Sequence, residues 1–140
     1  MAELVIEQDV LAVMEQDAVS AFPNECCGFF FGKEEGESRL VLEVIPVENT
    51  KEGDQRRRFK IEPESYMKAE KYAFSKGIAL LGIYHSHPLH PAIPSEHDRS
   101  QAMPWFSYII LSVEEDAILD VTSWQLNNNR EFEKETIKQL

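Results

Sequence analysis

Two stretches of the chain predict helices, the first from apolar residues at helical spacing and the second from the proline and glycine at its ends. The first, over residues 7–22, has one apolar stripe at spacings of three and four, made of Val10, Leu11, Met14, Ala18 and Phe22. Pro23 and Asn24 are expected to end it. The second covers 63–76, with Pro63 in its first turn and Gly77 as its stop.

Shorter apolar runs bounded by turn residues predict strands over 27–32, 39–47, 57–61, 78–84, 107–113 and 117–126. The run at 78–84 is almost wholly apolar, which is typical of a central strand covered on both faces. Residues 88–94 carry three prolines and predict a loop, after which Ser95 caps a short helix running to about Met103. The charged tail allows a last strand or helix. This order predicts an α/β (α+β) fold, a mixed β-sheet flanked by helices.

Composition narrows the class of protein. The 140 residues are 43% hydrophobic and contain no repeat or linker, so we expect a single domain over 1–140. No apolar run approaches the roughly 20 residues of a membrane span, and the N-terminus lacks signal-peptide features, which predicts no membrane association and a cytoplasmic location. A formal charge of -11 argues against nucleic acid as a partner.

Two local features remain open at this point. Cys26 and Cys27 are adjacent and are the only cysteines, which predicts buried thiols and no disulfide framework. Arg56, Arg57 and Arg58 form the one basic cluster of an acidic chain. They could face an acidic partner or a C-terminal carboxylate, or could be a solvated entrance to the strand predicted at 57–61.

The chemistry is concentrated between residues 85 and 98. His85 and His87 stand two apart at the end of a predicted strand, so both rings project from one face, and Asp98 lies at the start of the next helix. Two histidines, one carboxylate and a position open to water are the ligand set of a catalytic zinc. The alternative for Ser95 and Asp98 is a helix N-cap and its reciprocal partner. His90 and His97 are expected at the surface or facing substrate.

A zinc site that hydrolyses amides also needs a base. Glu25 is the best local candidate because it lies between a helix end and an apolar strand, where burial would raise its pKa. An acid in an exposed turn is the alternative, and spacing alone does not separate the two.

Together these segments resemble the JAMM, or MPN-plus, metallopeptidases, especially their short prokaryotic branch. The family signature is an upstream glutamate, then His-x-His, seven residues and Ser-x-x-Asp. HSHPLHPAIPSEHD, over 85–98, matches that spacing, and PNECCGFFFG, over 23–32, is similar to the glutamate-bearing segment. The resemblance implies an MPN-like fold in which His85, His87 and Asp98 bind zinc. It also implies that Glu25 activates the metal-bound water and that Ser95 donates to the developing oxyanion.

For function, the resemblance implies a zinc-dependent (iso)peptidase acting after the C-terminal Gly-Gly of a ubiquitin-like or sulfur-carrier protein, and releasing cysteine or a short extension. Two alternatives stay open. One is a non-catalytic MPN scaffold module, although such relatives lose ligands that are all present here. The other is a general small-peptide metallopeptidase with the same metal chemistry and no carrier partner. The sequence leaves the oligomeric state undetermined.

Overall fold

The computed structural model describes residues 2–140, and these form seven strands and three helices. In chain order the elements are β1 (Glu3–Ile6), α1 (Gln8–Ala21), β2 (Cys27–Glu35), β3 (Ser38–Val47), α2 (Pro63–Lys76), β4 (Ala79–Pro88), α3 (Glu96–Gln101), β5 (Ser107–Val113), β6 (Ile118–Leu126) and β7 (Phe132–Gln139). No helix among them is long and apolar enough to cross a membrane. The cytoplasmic location and the single domain over 1–140 stay predictions.

The strands form one mixed sheet in the order β1-β3-β2-β4-β5-β6-β7, and this sheet closes because β7 also pairs with β1. Strand β1 runs parallel to both of its neighbours, β4 runs parallel to β5, and the remaining pairs are antiparallel. The predicted α+β class with a mixed sheet and helices is confirmed. Closure was not predicted, and it gives both terminal strands a partner that an open sheet would not supply.

Alternation along the central strands divides the core into two apolar clusters. On β2, Phe30 packs with the cluster that contains Met14 of α1, whereas Phe29 and Phe31 pack with the cluster that contains Ala69 of α2. Successive side chains of a strand point to opposite faces, so this one apolar run serves both layers. The predicted stripe of α1 is buried at Val10, Leu11, Met14 and Ala18.

Helix ends follow the predicted capping residues. Helix α2 begins at Pro63, and Gly77 takes a left-handed conformation with φ of 68° while its N–H bonds to the last turn. Helix α3 starts after Ser95 as predicted but ends at Gln101, short of Met103. Met103 precedes Pro104, and a residue before proline disfavours helical geometry.

The strand predicted at 57–61 is wrong. These residues are irregular because their backbone groups bond within the loop and not to the sheet. The Lys60 N–H donates to Asn49 Oδ1 at 3.1 Å, and the Lys60 carbonyl accepts from the Thr50 N–H at 3.0 Å. Strand β4 is longer than predicted and includes both His85 and His87. The short strand β1 was not predicted, and the tail forms a strand, one of the two forms left open.

Gly82 allows β4 and β5 to pair closely. A Cβ atom built on Gly82 would lie 1.8 Å from the carbonyl oxygen of Ser107, its partner on β5. We predict that Gly82→Ala lowers the free energy of unfolding by about 2–3 kcal/mol, because backbone must move to relieve that contact. Chemical denaturation monitored by circular dichroism measures the change.

Gly36→Asn is the matched control. Gly36 has a positive φ of 64° in a turn, and a Cβ there meets nothing within 4 Å. Asparagine tolerates this conformation, so the cost should stay below about 1 kcal/mol. Equal losses for both variants would contradict the steric account of Gly82.

Candidate metal centre

The end of β4 presents two histidines to the same site. His85 and His87 are almost fully buried, and their Nε2 atoms lie 3.1 Å apart. Because the two residues are separated by one position on a strand, both rings project from the same face. Ser86, between them, faces the other side, and its Oγ accepts a hydrogen bond from the Cys26 N–H at 2.8 Å.

Helix α3 brings a carboxylate to the same point. Asp98 Oδ2 lies 3.2 Å from His87 Nε2 and 3.4 Å from His85 Nε2. The same oxygen accepts the Ser95 N–H at 2.9 Å, and Ser95 Oγ accepts the Asp98 N–H at 3.0 Å. These two bonds form a capping box, so Ser95 and Asp98 do cap the helix, as the alternative interpretation held. Asp98 also lies with the two histidines, so both interpretations hold at once. The Ser95 hydroxyl proton stays available for donation.

His85 Nε2, His87 Nε2 and Asp98 Oδ2 form a compact group of candidate ligand atoms. His87 Nδ1 lies 2.8 Å from the Pro91 carbonyl, and a bond there requires a proton on Nδ1, which leaves the Nε2 lone pair pointing at Asp98. Burial raises the pKa of Asp98, but the adjacent His85, together with the close contacts of Asp98 with His87 and with the Ser95 N–H, lowers that pKa well below its usual range. A lone pair facing a carboxylate is unfavourable unless a proton or cation lies between them, and these three residues could hold a metal ion.

Glu25 lies beside this group, two residues before the start of β2, the strand that pairs with β4. Cys27 of β2 pairs with His85, so the antiparallel register continued by two residues places Glu25 opposite His87. Glu25 is 3% exposed, which contradicts the exposed-turn alternative. Burial, followed by repulsion from Asp98, raises the pKa of Glu25 to about 8. A carboxyl group with such a pKa can both take up and release a proton near neutral pH.

The sequence analysis missed Asn49, which fixes the backbone of Glu25. Asn49 Nδ2 donates to the carbonyl oxygens of Glu25 at 3.0 Å and of Arg58 at 3.1 Å, and Asn49 Oδ1 accepts the Lys60 N–H. The Glu25 N–H donates to the Gln55 carbonyl at 2.7 Å. The loop between β3 and α2 therefore holds the segment that carries Glu25. No spacing signal could have found Asn49, because its partners are backbone groups of distant residues.

A second set of missed contacts supports His87. The Ser112 hydroxyl donates to the His90 carbonyl at 2.7 Å, and the Thr122 hydroxyl donates to the Ala92 carbonyl at 2.7 Å. These bonds fix the peptide units before and after the one that contains the Pro91 carbonyl, and that carbonyl orients His87. His90 itself is exposed, as predicted, and its ring stacks on His87 with centroids 4.4 Å apart.

A cavity of about 410 Å³ opens next to the three-residue group. Its wall is largely apolar and aromatic, and it reaches His85 and Asp98; the other polar members are Lys51, Lys60, His97 and Gln101. Phe59 belongs to this wall and stacks on the His85 ring at 4.7 Å. The cavity gives an extended chain access to the group from one side. His97, predicted to lie at the surface or to face substrate, is half-buried in this wall. Cys26 and Cys27 are buried free thiols, as predicted.

Comparison with known proteins decides the family. The family model for prokaryotic homologues of the JAB domain matches residues 7–127. The chain belongs to this family. It is 29% identical to a desampylase of Haloferax volcanii over 123 residues, which cover 88% of this chain and 86% of the relative. It is 34% identical to a desampylase of Pyrococcus furiosus over 102 residues, covering 73% and 68%.

A probable TtuB-protein conjugate cleaving protease of Thermus thermophilus is 34% identical over 92 residues, which cover 66% of this chain and 58% of that protein. Among solved structures, a protein from Desulfitobacterium hafniense superposes with a TM-score of 0.86 at 29% identity, covering 98% of this chain and 92% of that one. The resemblance to JAMM proteins is confirmed, and this JAB-family chain is a hydrolase of that type.

We predict that His87→Ala abolishes tight binding of one divalent metal ion per chain. Ser112→Ala should bind the ion about tenfold more weakly, because the loop that orients His87 loses one of its anchors. Competition against a chromophoric chelator measures both affinities.

Ser100→Ala is the control for the loss of a hydroxyl group. Ser100 is exposed on α3, where its hydroxyl donates to the His97 carbonyl and accepts a long bond from the Gln101 amide, so the metal affinity of this variant should match the wild type. Wild-type affinity in His87→Ala would remove His87 from the ligand set. Wild-type affinity in Ser112→Ala would show that the loop anchor does not reach the metal.

Proposed function

We propose that the chain is a zinc-dependent isopeptidase that hydrolyses the amide bond after the C-terminal Gly-Gly of a ubiquitin-like or sulfur-carrier protein. The observation that carries this proposal is the convergence of His85, His87 and Asp98 beside the buried carboxyl group of Glu25. The similarity to desampylases and to a conjugate-cleaving protease supports a protein conjugate as the substrate.

The spacing of the three ligand atoms suits zinc. Ligand atoms about 2.0–2.1 Å from a tetrahedral zinc ion are about 3.3 Å from one another. The three distances here are 3.1, 3.2 and 3.4 Å. Two nitrogens and one carboxylate oxygen leave the fourth position for water, as in catalytic sites. When bound, zinc would polarise the substrate carbonyl and lower the pKa of the bound water.

Glu25 and Ser95 supply the remaining chemistry in this proposal. Glu25 takes the proton from the attacking water and delivers it to the leaving amine, a role that its raised pKa supports. The capping box uses the Ser95 hydroxyl only as an acceptor, so its proton is free to form a hydrogen bond to the oxyanion. Both roles need a side chain that is held in place. Burial holds Glu25, and the start of α3 holds Ser95.

A flexible Gly-Gly tail fits the access to the site. Glu25, His85 and His87 are buried, so a scissile bond must enter as an extended chain from the cavity side. Glycine permits the closest approach of backbone to the reacting centre, because no Cβ atom collides with the surrounding side chains. A folded protein without such a tail is too wide to bring its backbone to these atoms.

The two alternatives make different demands. A scaffold module needs no ligand set, yet all three ligand candidates and Glu25 are present and clustered. A general peptidase would use the same metal chemistry on free peptides without preferring a carrier. A comparison of a carrier-linked substrate with the isolated tail peptide distinguishes the two, because a general peptidase would cleave both equally well.

We predict that Glu25→Gln keeps wild-type zinc affinity and loses at least about 100-fold in kcat, because the amide is nearly isosteric but cannot accept a proton. Zinc content is measured by atomic emission, and turnover by mass spectrometry of a carrier extended beyond Gly-Gly. Glu70→Gln, at an exposed position on α2, is the matched control and should behave as wild type. Full activity in Glu25→Gln would exclude Glu25 as the base.

We predict that carriers ending in Gly-Gly-X are cleaved at least about tenfold faster than the same carriers ending in Ala-Ala-X, because each added methyl group obstructs the approach of the backbone. The measurement is kcat/KM for the two carriers under identical conditions. Equal rates would rule out the Gly-Gly preference and leave a general metallopeptidase.

A further inference from the structure

The loop between β3 and α2 carries positive charge directly beside the proposed active site. Phe59 follows Arg58 in sequence, and its ring stacks on His85. One side-chain amide, that of Asn49, bonds to the carbonyl oxygens of both Arg58 and Glu25. The run Arg56, Arg57 and Arg58, here called the arginine ridge, is therefore anchored to both sides of the site.

The ridge is not used by the fold itself. Within residues 2–140, Arg39 and Arg99 each form an ion pair with a glutamate, whereas no carboxylate pairs with any arginine of the ridge. The Arg58 guanidinium bonds only to the neighbouring Arg57 carbonyl, and the side chains of Arg56 and Arg57 are exposed. The charge of Arg58 opposes the rise in the pKa of the nearby Glu25, so Arg56 and Arg57 are the members of the ridge that are left free to meet a partner. In a chain of net charge -11, this basic run is a localised exception.

We propose that the arginine ridge is a docking surface for an acidic face of the carrier protein, next to the point where its tail enters the site. This inference rests on the proposed function. The two glycines of the tail offer no side chains, so selectivity must come from contacts beyond them. In the proposed function the carrier is common to all substrates, whereas the group after Gly-Gly varies, so we assign these contacts to the carrier. Unpaired guanidinium groups bind carboxylates well, and they also offset the repulsion between an acidic enzyme and an acidic carrier.

Peptides of defined charge test the ridge without requiring the natural carrier. All share one Gly-Gly-X cleavage site and differ in a short block upstream of it, made of aspartates, serines or lysines. A fourth peptide has the aspartate block downstream of X. We expect kcat/KM for the upstream aspartate peptide to exceed that for the serine peptide by about tenfold at low salt, through a lower KM. The lysine peptide should be the poorest, and the preference should shrink as salt screens the charges.

The double variant Arg56→Glu/Arg57→Glu should abolish or invert this preference while kcat on the serine peptide stays at the wild-type value. Arg58 is left intact because its backbone shares Asn49 with Glu25. The matched control is Lys33→Glu/Lys138→Glu, which makes the same change in charge at exposed positions on β2 and β7. We expect the control to keep the preference for the upstream aspartate block.

The outcomes separate the two levels of the proposal. If no peptide and no extended carrier is cleaved by the zinc-loaded protein, the proposed function fails. If the serine peptide is cleaved but upstream aspartates give no advantage, the function stands and the docking surface is wrong. If downstream aspartates raise kcat/KM as much as upstream aspartates do, the ridge does not face the carrier side. If Lys33→Glu/Lys138→Glu loses the preference as fully as the arginine double variant, the effect comes from net charge and the docking surface is wrong.

Discussion

One carboxylate oxygen connects the helix start with the candidate metal centre. Asp98 Oδ2 accepts the Ser95 N–H and at the same time faces the Nε2 atoms of His85 and His87. The first turn of a helix has free N–H groups that stabilise a nearby anion, so the cap adds to the larger effect of His85 and His87, and together they lower the pKa of Asp98 in a largely buried place. Without that support, a buried carboxylate beside a second acid, Glu25, would tend to take up a proton.

This arrangement explains which parts could be predicted from sequence. His85, His87, Ser95 and Asp98 lie within 14 residues, on consecutive elements whose types are set by apolar alternation and by a cap. Local rules therefore suffice to bring them together. Glu25 is far from them in the chain, and spacing alone left it open between a base and an exposed acid. Its burial depends on the pairing of β2 with β4, which is long-range information.

The strand wrongly predicted at 57–61 has a physical cause, which is competition for backbone hydrogen bonds. The segment at 57–61 has the composition of a strand, but the side chain of Asn49 and the backbone of Thr50 take its polar groups. A loop held in this way does not need a partner strand. Strand β1 was missed for another reason: it is only four residues long and gives a weak pattern, and it is placed by pairing with β3 and β7, which are distant in sequence.

The two halves of the site differ in how rigidly they are supported. His85 and His87 stand on β4, which pairs with a strand on each side, and Asp98 stands on a capped helix. Glu25 stands outside regular structure and is held through backbone bonds to the β3–α2 loop, chiefly by Asn49. Rigid elements fix the ligand atoms to within tenths of an ångström, whereas a loop can shift slightly at little cost. Metal binding should therefore tolerate changes in the loop that alter the position of the base. A partner that contacts this loop acts most directly on the half of the site that moves protons, through Asn49, and reaches the ligands only through the stacking of Phe59 on His85.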